Sequence, residues 1–424
     1  MGSINNYHFI YGKGIIYMQG VIVTFDVSKG NCHYQGFKDQ DTSFTKPKIL
    51  IFTKSSFKEL EDYASKLKEK YETDSVSYVF ESTGVYHQVL RKYLDDNKLP
   101  YYIISPLLSA KYRQTELHSN KTDPLDCRNI AKVYYGTKDE FLNQYKSPES
   151  KYERLQKLNR YYEDVLEHLR KYKVTLRSYL DIALPDFDSC FPNNDIYNPI
   201  ALEILKKWPH PELILKVSEN AMVLHLEKKT NHNKSFIIRY VSVVRDWAKD
   251  VYSGCRADDE IVNKLVLLVK HVEQITLEAD SILESIIDGA KKEVLFDQLF
   301  SIPGIGENLA ARIVAELGDV SRFKSVNKLT SYAGVDPMIR QSGKYDGDHL
   351  SISKKGNKRL RCLLFLAVGC NIRLKKNDKI YNFYQRKRQQ SVPLKPKVAK
   401  IAAVRKLLTI IYGMSKTGEL YIYD

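Results

Sequence analysis

Val21-Ile-Val-Thr-Phe-Asp-Val27 sets β-branched and aromatic residues side by side with one carboxylate near the end, a pattern that belongs to a buried strand. Cys32-His-Tyr-Gln-Gly-Phe37 and Ile49-Leu-Ile-Phe52 repeat it. The short Ser28–Asn31 connection predicts that the first two strands pair as an antiparallel hairpin. Phe57–Tyr71 then reads as an amphipathic helix, Val76–Phe80 as a buried strand, Val85–Asp96 as a helix and Tyr101–Ile104 as a further strand. Helices are expected at Pro106–Leu117 and Asp123–Tyr135. Three early strands followed by helix-linked strands describe a mixed α/β sheet flanked by helices, the order of a ribonuclease-H-like fold.

Carboxylates fall at informative places in that order. Asp26 lies near the end of the first strand and Glu81 directly follows the fourth, and strand ends in an open α/β sheet are where sites form. Lys121-Thr-Asp-Pro-Leu-Asp-Cys-Arg-Asn-Ile-Ala-Lys132 adds two acids, three residues apart, where an apolar-periodic helix begins. Thr122 or Asp123 can serve as N-cap, Pro124 suits the first turn, and Leu125, Ile130 and Ala131 supply a buried stripe. A capping role explains one acid and leaves Asp126 on the same face as Asp123. Taken singly, Asp26 also reads as a turn residue and Glu81 as a helix-start acid favoured by the helix dipole. Brought together, four carboxylates would repel one another unless divalent cations neutralised them, so the set implies Mg²⁺ or Mn²⁺ with oxygen ligands. Two such ions can hold both sides of a phosphodiester.

The chain has 424 residues, enough for two or three domains, and 43% hydrophobic content is ordinary for a globular protein. Its longest apolar runs, such as Leu363–Val368, are too short to span a bilayer. Residues 1–20 carry no apolar core or cleavage pattern and are set apart as an N-terminal extension, with Met18 just before the first strand. Cys32, Cys127, Cys190, Cys255, Cys362 and Cys370 form no CxxC pair, which speaks against a zinc site or a disulfide framework and fits a reducing cytoplasm.

Near Pro148 the alternation of strands and helices stops, closing an expected domain over 21–148. Tyr152–Leu180 and about Asp258–Gly289 are long apolar-periodic runs. Between them lie a polar, proline-containing excursion (Pro185–Pro199) and smaller helices around Ile200–Lys216 and Ala221–Leu226. This region, 149–295, reads as a helical coiled-coil scaffold whose long helices fold back on each other or dimerise. His210, His225, His232 and His271 are not at ligand spacing.

Residues 296–424 form the expected third domain, mainly helical. Positions 301–424 hold 24 Lys and Arg against 9 Asp and Glu, while the preceding 300 are balanced at 42 each, so the net charge of +15 is concentrated where a polyanion would be held. In Phe300-Ser-Ile-Pro-Gly-Ile-Gly-Glu-Asn-Leu-Ala-Ala-Arg-Ile-Val-Ala-Glu-Leu-Gly-Asp319, residues Pro303, Gly304 and Gly306 form a tight turn between two short helices. Ile305 can plug the gap, and backbone N–H groups at the turn can meet a phosphate. The segment resembles a helix-hairpin-helix module, and a purely structural helical hairpin is the plainer reading. Arg340-Gln-Ser-Gly-Lys344 is a turn-rich loop. Its Ser342 hydroxyl lies between two cations, Arg340 and Lys344, and is either a nucleophile or a hydrogen-bonding turn residue. Lys354, Lys355, Lys358, Arg359 and Arg361, with Arg386–Arg388 and Lys395–Lys406, extend the basic surface.

Together these motifs resemble a DEDD transposase of the insertion sequence one-ten family, relatives of the Piv-type DNA invertases. The resemblance runs from about Val21 to the C-terminus. It is carried by Asp26-Val-Ser-Lys29, Glu81-Ser-Thr-Gly-Val-Tyr86, Lys121-Thr-Asp-Pro-Leu-Asp126, Ile302-Pro-Gly-Ile-Gly306, Tyr332-Ala-Gly334, Gln341-Ser-Gly343 and Lys355-Gly-Asn-Lys-Arg-Leu-Arg361. It implies a resolvase-like N-terminal domain whose Asp26, Glu81, Asp123 and Asp126 bind Mg²⁺, and a C-terminal transposase domain whose catalytic serine is Ser342. It also implies recombination of donor and target DNA under a structured bridge RNA, by dimers that pair into a tetramer, in the bacterial cytoplasm at the nucleoid, with no membrane. Phe25 stands where the family has a smaller residue and Cys127 where alanine is common, both read as packing changes. Two alternatives stay open: a resolvase-like endonuclease that uses water on the same acids, and a catalytically inactive nucleic-acid-binding relative.

Overall fold

The computed structural model describes residues 20–82, 84–104, 106, 109, 123–136, 150–337, 341–342, 345–346 and 351–422; of 123–125, 150, 341–342 and 345–346 it describes the backbone alone. The chain forms two compact units, 1–147 and 148–424.

The first unit is built on a five-stranded sheet of order β3-β2-β1-β4-β5, made of β1 (Ile22–Val27), β2 (Asn31–Phe37), β3 (Lys48–Ile51), β4 (Ser77–Glu81) and β5 (Tyr101–Ile104). β1 pairs antiparallel with β2, and β2 with β3; β1 pairs parallel with β4, and β4 with β5. The expected hairpin and mixed sheet are therefore present. Between strands run α1 (Lys54–Lys70), capped by Thr53 Oγ1 accepting from Ser56 N, and α2 (Gln88–Asp96). α2 starts three residues later than the apolar pattern predicts. Gly84 adopts φ +50°, and residues 84–87 form a turn that leaves Val85 73% exposed.

β1 is buried on both faces, as its composition requires. Val23, Phe25 and Val27 join the core shared with α1 and α2. Ile22 joins Phe37, Val79 and Ile104 against the helix α3 (Asp123–Gly136), which contributes Cys127, Ile130, Ala131, Val133 and Tyr134. The expected helix at Pro106–Leu117 lies almost wholly outside the described residues.

The second unit is helical. Two long helices, α4 (Ser150–Ala183) and α9 (Glu260–Ala290), run antiparallel through two cores. Tyr152, Leu155, Tyr162 and Val165 from the start of α4 pack with Ala279, Ile286 and Ala290 from the end of α9. Leu169, Leu176 and Leu180 pack with Leu265, Leu268, Val269 and Val272 at the other end. The fold-back option is the one adopted within this chain. Four helices fill the second core: α5 (Pro199–Lys207), α6 (Pro211–Lys216), α7 (Glu219–Lys229) and α8 (Lys234–Asp250). α8 is absent from the sequence-based expectations.

The first core continues into α10 (Val294–Phe300), α11 (Glu307–Leu317), α12 (Val326–Ala333), α13 (Lys358–Leu374), α14 (Lys379–Gln389) and α15 (Pro396–Thr417). A two-stranded hairpin, β6 (Gln341–Ser342) and β7 (Tyr345–Asp346), lies between α12 and α13.

Candidate active site

In the first unit the parallel β1–β4 register pairs Phe25 with Phe80. One residue further, Asp26 and Glu81 stand at the same height on neighbouring strands. Phe25 and Phe80 enter the core under α1 and α2, so strand alternation turns the two acids toward the α3 face. Both are half-buried.

The start of α3 is tied to the same place. Thr24 Oγ1 donates to the Cys127 carbonyl at 3.0 Å, and Cys127 Sγ lies 3.4 Å from the His33 carbonyl. Arg128 Nη2 donates to Asp41 O at 2.9 Å, and Tyr135 OH to Phe37 O at 3.1 Å. Half-buried Asp126 therefore sits one residue from a group that touches the β1–β2 hairpin. Burial pushes the Cys127 thiol up to about 12, the Asp26 backbone opposes this by hydrogen bonding, and the negative charges of Asp26 and Asp126 add to the rise. One thiol thus feels both acids. Asp123 opens α3, and its side chain lies outside the described residues.

Two described carboxylates thus lie at the C-terminal ends of the interior strands β1 and β4, with a third near the start of α3, and their oxygens suit a hard cation rather than zinc. Among the described residues, no group of three or more His, Cys, Asp or Glu is drawn tightly enough to hold a metal ion.

In the second unit the segment carrying Ser342 is a hairpin pinned at its root. Gln341 pairs with Asp346 and Ser342 with Tyr345. Below them Pro337 bridges to Ile352, Ser353 N donates to Asp336 O at 2.8 Å, Lys354 N to Gly334 O at 3.1 Å, and Asn357 N to Tyr332 O at 2.6 Å. Gly334 reverses the chain with φ +67°. Gly356 lies so close to the other strand of the root that a Cβ there would be 2.2 Å from Tyr332 O. The Tyr332-Ala-Gly334 and Lys355-Gly-Asn357 motifs are thus the two sides of one clamp. The side chain of Ser342 lies outside the described residues, as do Arg340 and Lys344.

The Pro303–Gly306 turn joins α10 to α11, with Ile305 buried as expected. Its two glycines differ in role. A Cβ on Gly304, at φ +86°, would meet Asn371 N of α13 at 2.5 Å, whereas Gly306 has nothing within 4 Å. Gly304 therefore serves packing against α13, and Asn371 Nδ2 reinforces it by donating to Pro303 O at 3.0 Å. Gly306, exposed at the N-cap of α11, is the position open to a ligand.

The expected phosphate contacts also divide. Lys354, Lys355 and Lys358 are exposed. Arg359 Nε instead donates to Glu163 Oε2 at 2.7 Å, and Arg361 Nη1 to Ala333 O at 2.9 Å. Those two side chains brace the fold.

Sequence reasoning assigned no role to the partners of this bracing. Glu316 of α11, wholly buried, accepts from Asn159 Nδ2 at 2.9 Å and from Asn357 Nδ2 at 2.8 Å. Arg312 spans Asn159 and Glu163 at 3.0 Å each and lies over the Tyr162 ring. A glutamate within the apolar Ile313–Leu317 end of α11 was the available signal.

Two families of known proteins match successive regions of the chain. The family described as "Transposase IS116/IS110/IS902 family" matches residues 297–385, and a DEDD family described as "Transposase" matches residues 23–185. The mini-circle protein for IS117 of Streptomyces coelicolor is 26% identical over 61% of this chain and 63% of its own length. A pilin gene-inverting protein of Moraxella lacunata is 29% identical over 50% of this chain and 62% of its own. A transposase for insertion sequence element IS1111A of Coxiella burnetii is 36% identical over 18% of this chain and 21% of its own. The chain thus spans less than two thirds of the length of these relatives.

Proposed function

Since the chain belongs to the IS116/IS110/IS902 transposase family, whose two regions it carries in order, we propose that it is a DNA transposase or recombinase that cuts and rejoins strands at donor and target sites. The observation that carries this reading is the pair Asp26 and Glu81, level on adjacent parallel strands, with Asp126 on the helix anchored beside them. Among relatives, one is named for inverting a pilin gene and another for transposition, and both names describe DNA rearrangement.

Asp26, Glu81, Asp123 and Asp126 would hold Mg²⁺, or Mn²⁺, which supplies charge neutralisation and orientation for in-line displacement at phosphorus. Ser342 is the nucleophile. Its Oγ forms a bond to the scissile phosphorus as the bond from phosphorus to the leaving strand oxygen breaks; the serine proton passes to solvent and the leaving oxygen takes one up. The hydroxyl of a second strand then attacks the phosphoserine linkage and releases Ser342. Each step breaks one phosphoester bond and forms one, so no nucleotide triphosphate is consumed. Lys354, Lys355, Lys358 and the Gly306 turn hold backbone phosphates, joined by the serine-flanking cations Arg340 and Lys344.

The family resemblance extends the reading to a structured bridge RNA that selects the sites by base pairing, and to dimers that pair into a tetramer in the bacterial cytoplasm. Among the described residues no helix is long and apolar enough to cross a membrane.

Trapping tests the mechanism. With a plasmid bearing the reading frame and its native flanking DNA, a protein–DNA adduct that survives denaturation is expected from the wild type and not from Ser342→Ala. Asp26→Ala should abolish cleavage altogether. Full cleavage by Ser342→Ala, with no adduct from the wild type, would replace the serine by water on the same acids. Retained DNA binding with no cleavage by the wild type in Mg²⁺ would leave only a binding protein.

A further inference from the structure

We propose that Asn357 and Glu316 are positioning residues that set the root of the Ser342 hairpin through a buried carboxylate–amide joint. This rests on the reading of Ser342 as nucleophile.

Asn357 uses both ends of one side chain. Its Oδ1 accepts from Leu360 N at 3.1 Å and so caps α13, while its Nδ2 donates to Glu316 Oε2 at 2.8 Å. Its backbone N–H is the donor that closes the hairpin root onto Tyr332 O, and Tyr332 OH in turn donates to Glu316 O at 3.1 Å. Both sides of the clamp therefore meet on one residue of α11.

Other side chains fail one half of this task. Aspartate caps as well but faces Glu316 with a second carboxylate; serine caps but is too short to reach it; glutamine reaches but caps poorly. The other half of the joint is equally specified. A buried carboxylate is costly unless hydrogen-bonded, and Glu316 receives two amide donors, with Arg160 Nε at 3.9 Å. From α4, Asn159 and Glu163 are four residues apart on one face and reach α11 and α13 through Arg312 and Arg359. The hairpin root is thereby held to a long helix and is not left as a free loop. Reaction at phosphorus requires the nucleophile to be placed within a fraction of an ångström, and a displacement of about 1 Å can cost roughly a hundredfold in rate.

The chemistry of the joint supplies its own test. Glu316→Gln and Asn357→Asp each break the donor–acceptor match. Combined, they restore it with the roles exchanged: the new amide donates to the new carboxylate, Asn159 still has an oxygen to donate to, and the cap is kept. The full chain is assayed on the same plasmid for trapped adduct, for binding to a generic duplex, for melting, and for amide exchange across residues 335–354. Asn357→Ser and both single exchanges should lower adduct formation by roughly ten- to a hundredfold at unchanged duplex binding and at a temperature where every variant is folded, and the double exchange should recover most of it. Wild-type adduct from the single variants, no recovery in the double, or a loss that disappears on cooling would each overturn the joint. If Ser342→Ala still forms adduct, the nucleophile reading fails instead; exchange then decides, and unchanged protection of residues 335–354 in Asn357→Ser overturns the joint independently.

Discussion

Gly356→Ala is the substitution to which the second unit should be most sensitive for its size. A methyl group there would lie 2.2 Å from Tyr332 O, 2.4 Å from Gly334 N and 2.6 Å from Ser331 O, all backbone atoms. Contacts of this kind need about 3.5 Å, so one side of the clamp must retreat by about 1 Å. The retreat is opposed by the very bonds that make the clamp, Asn357 N to Tyr332 O at 2.6 Å and Lys354 N to Gly334 O at 3.1 Å. Overpacking costs about 1–3 kcal/mol, and two weakened backbone hydrogen bonds add about 1 kcal/mol each. A loss of about 3 kcal/mol or more lowers the melting temperature of a unit this large by about 6–12 °C. Gly413→Ala is the matched control. It is exposed within α15 with nothing within 4 Å of its Cβ position, and alanine should stabilise the helix by about 0.5–1 kcal/mol. Calorimetry of the full chain, following the transition of residues 148–424, reads both. A melting temperature for Gly356→Ala within about 2 °C of the wild type would show that the root yields without cost, and the clamp argument would fail.

Further outcomes follow from particular side chains and from the divalent cation. Thr24→Val keeps the shape of a wholly buried residue but removes its bond to the Cys127 carbonyl; it should cost about 1 kcal/mol and raise amide exchange at the start of α3, as read by denaturant titration and exchange mass spectrometry. At pH 8, iodoacetamide should label exposed Cys362 first, with buried Cys32, Cys127 and Cys190 reacting only in urea. Burial raises the Cys127 thiol from 9.0 to about 12, so the stability carried by its protonated form is complete below about pH 9 and is lost as pH rises toward 12. Lys358→Ala should weaken binding to any duplex and reduce the salt slope by about one, measured by anisotropy across a salt series. Arg359→Ala, by contrast, should lower the melting temperature by removing one of the two arginines paired with Glu163. Chelating divalent cations should abolish cleavage by the wild type while leaving duplex binding in place, which a gel-shift run beside the cleavage assay would show.

Much of the first unit was legible because its signals are local. Runs of β-branched and aromatic residues marked β1, β2 and β4, and the short connection after Val27 forced a hairpin. α8 was equally legible: Ile237, Tyr240, Val241, Val244 and Ala248 recur at helical spacing after the capping residue Asn233. The late start of α2 was not visible, since Val85 and Tyr86 extend the apolar pattern and only the backbone at Gly84 shows that the chain is still turning.

The site divides on the same physical line. Asp26 and Glu81 could be placed at strand ends from sequence, and parallel pairing of β1 with β4 then brings them level. Charge gave no such help in 354–361, where lysine and arginine count alike, yet Lys358 is exposed and Arg359 is tied to a carboxylate 196 residues away in sequence. A sum of charges reports the field far from the chain; it does not report which cations another helix has already neutralised. Glycine carries the same ambiguity. Its lack of a side chain permits close approach, but the approaching group at Gly304 is the backbone of α13 and at Gly356 it is Tyr332, whereas Gly306 faces open space. A glycine-rich turn in a basic domain therefore marks a phosphate site only when the fold leaves that turn uncovered, and of the two glycines in the helical hairpin it does so for one.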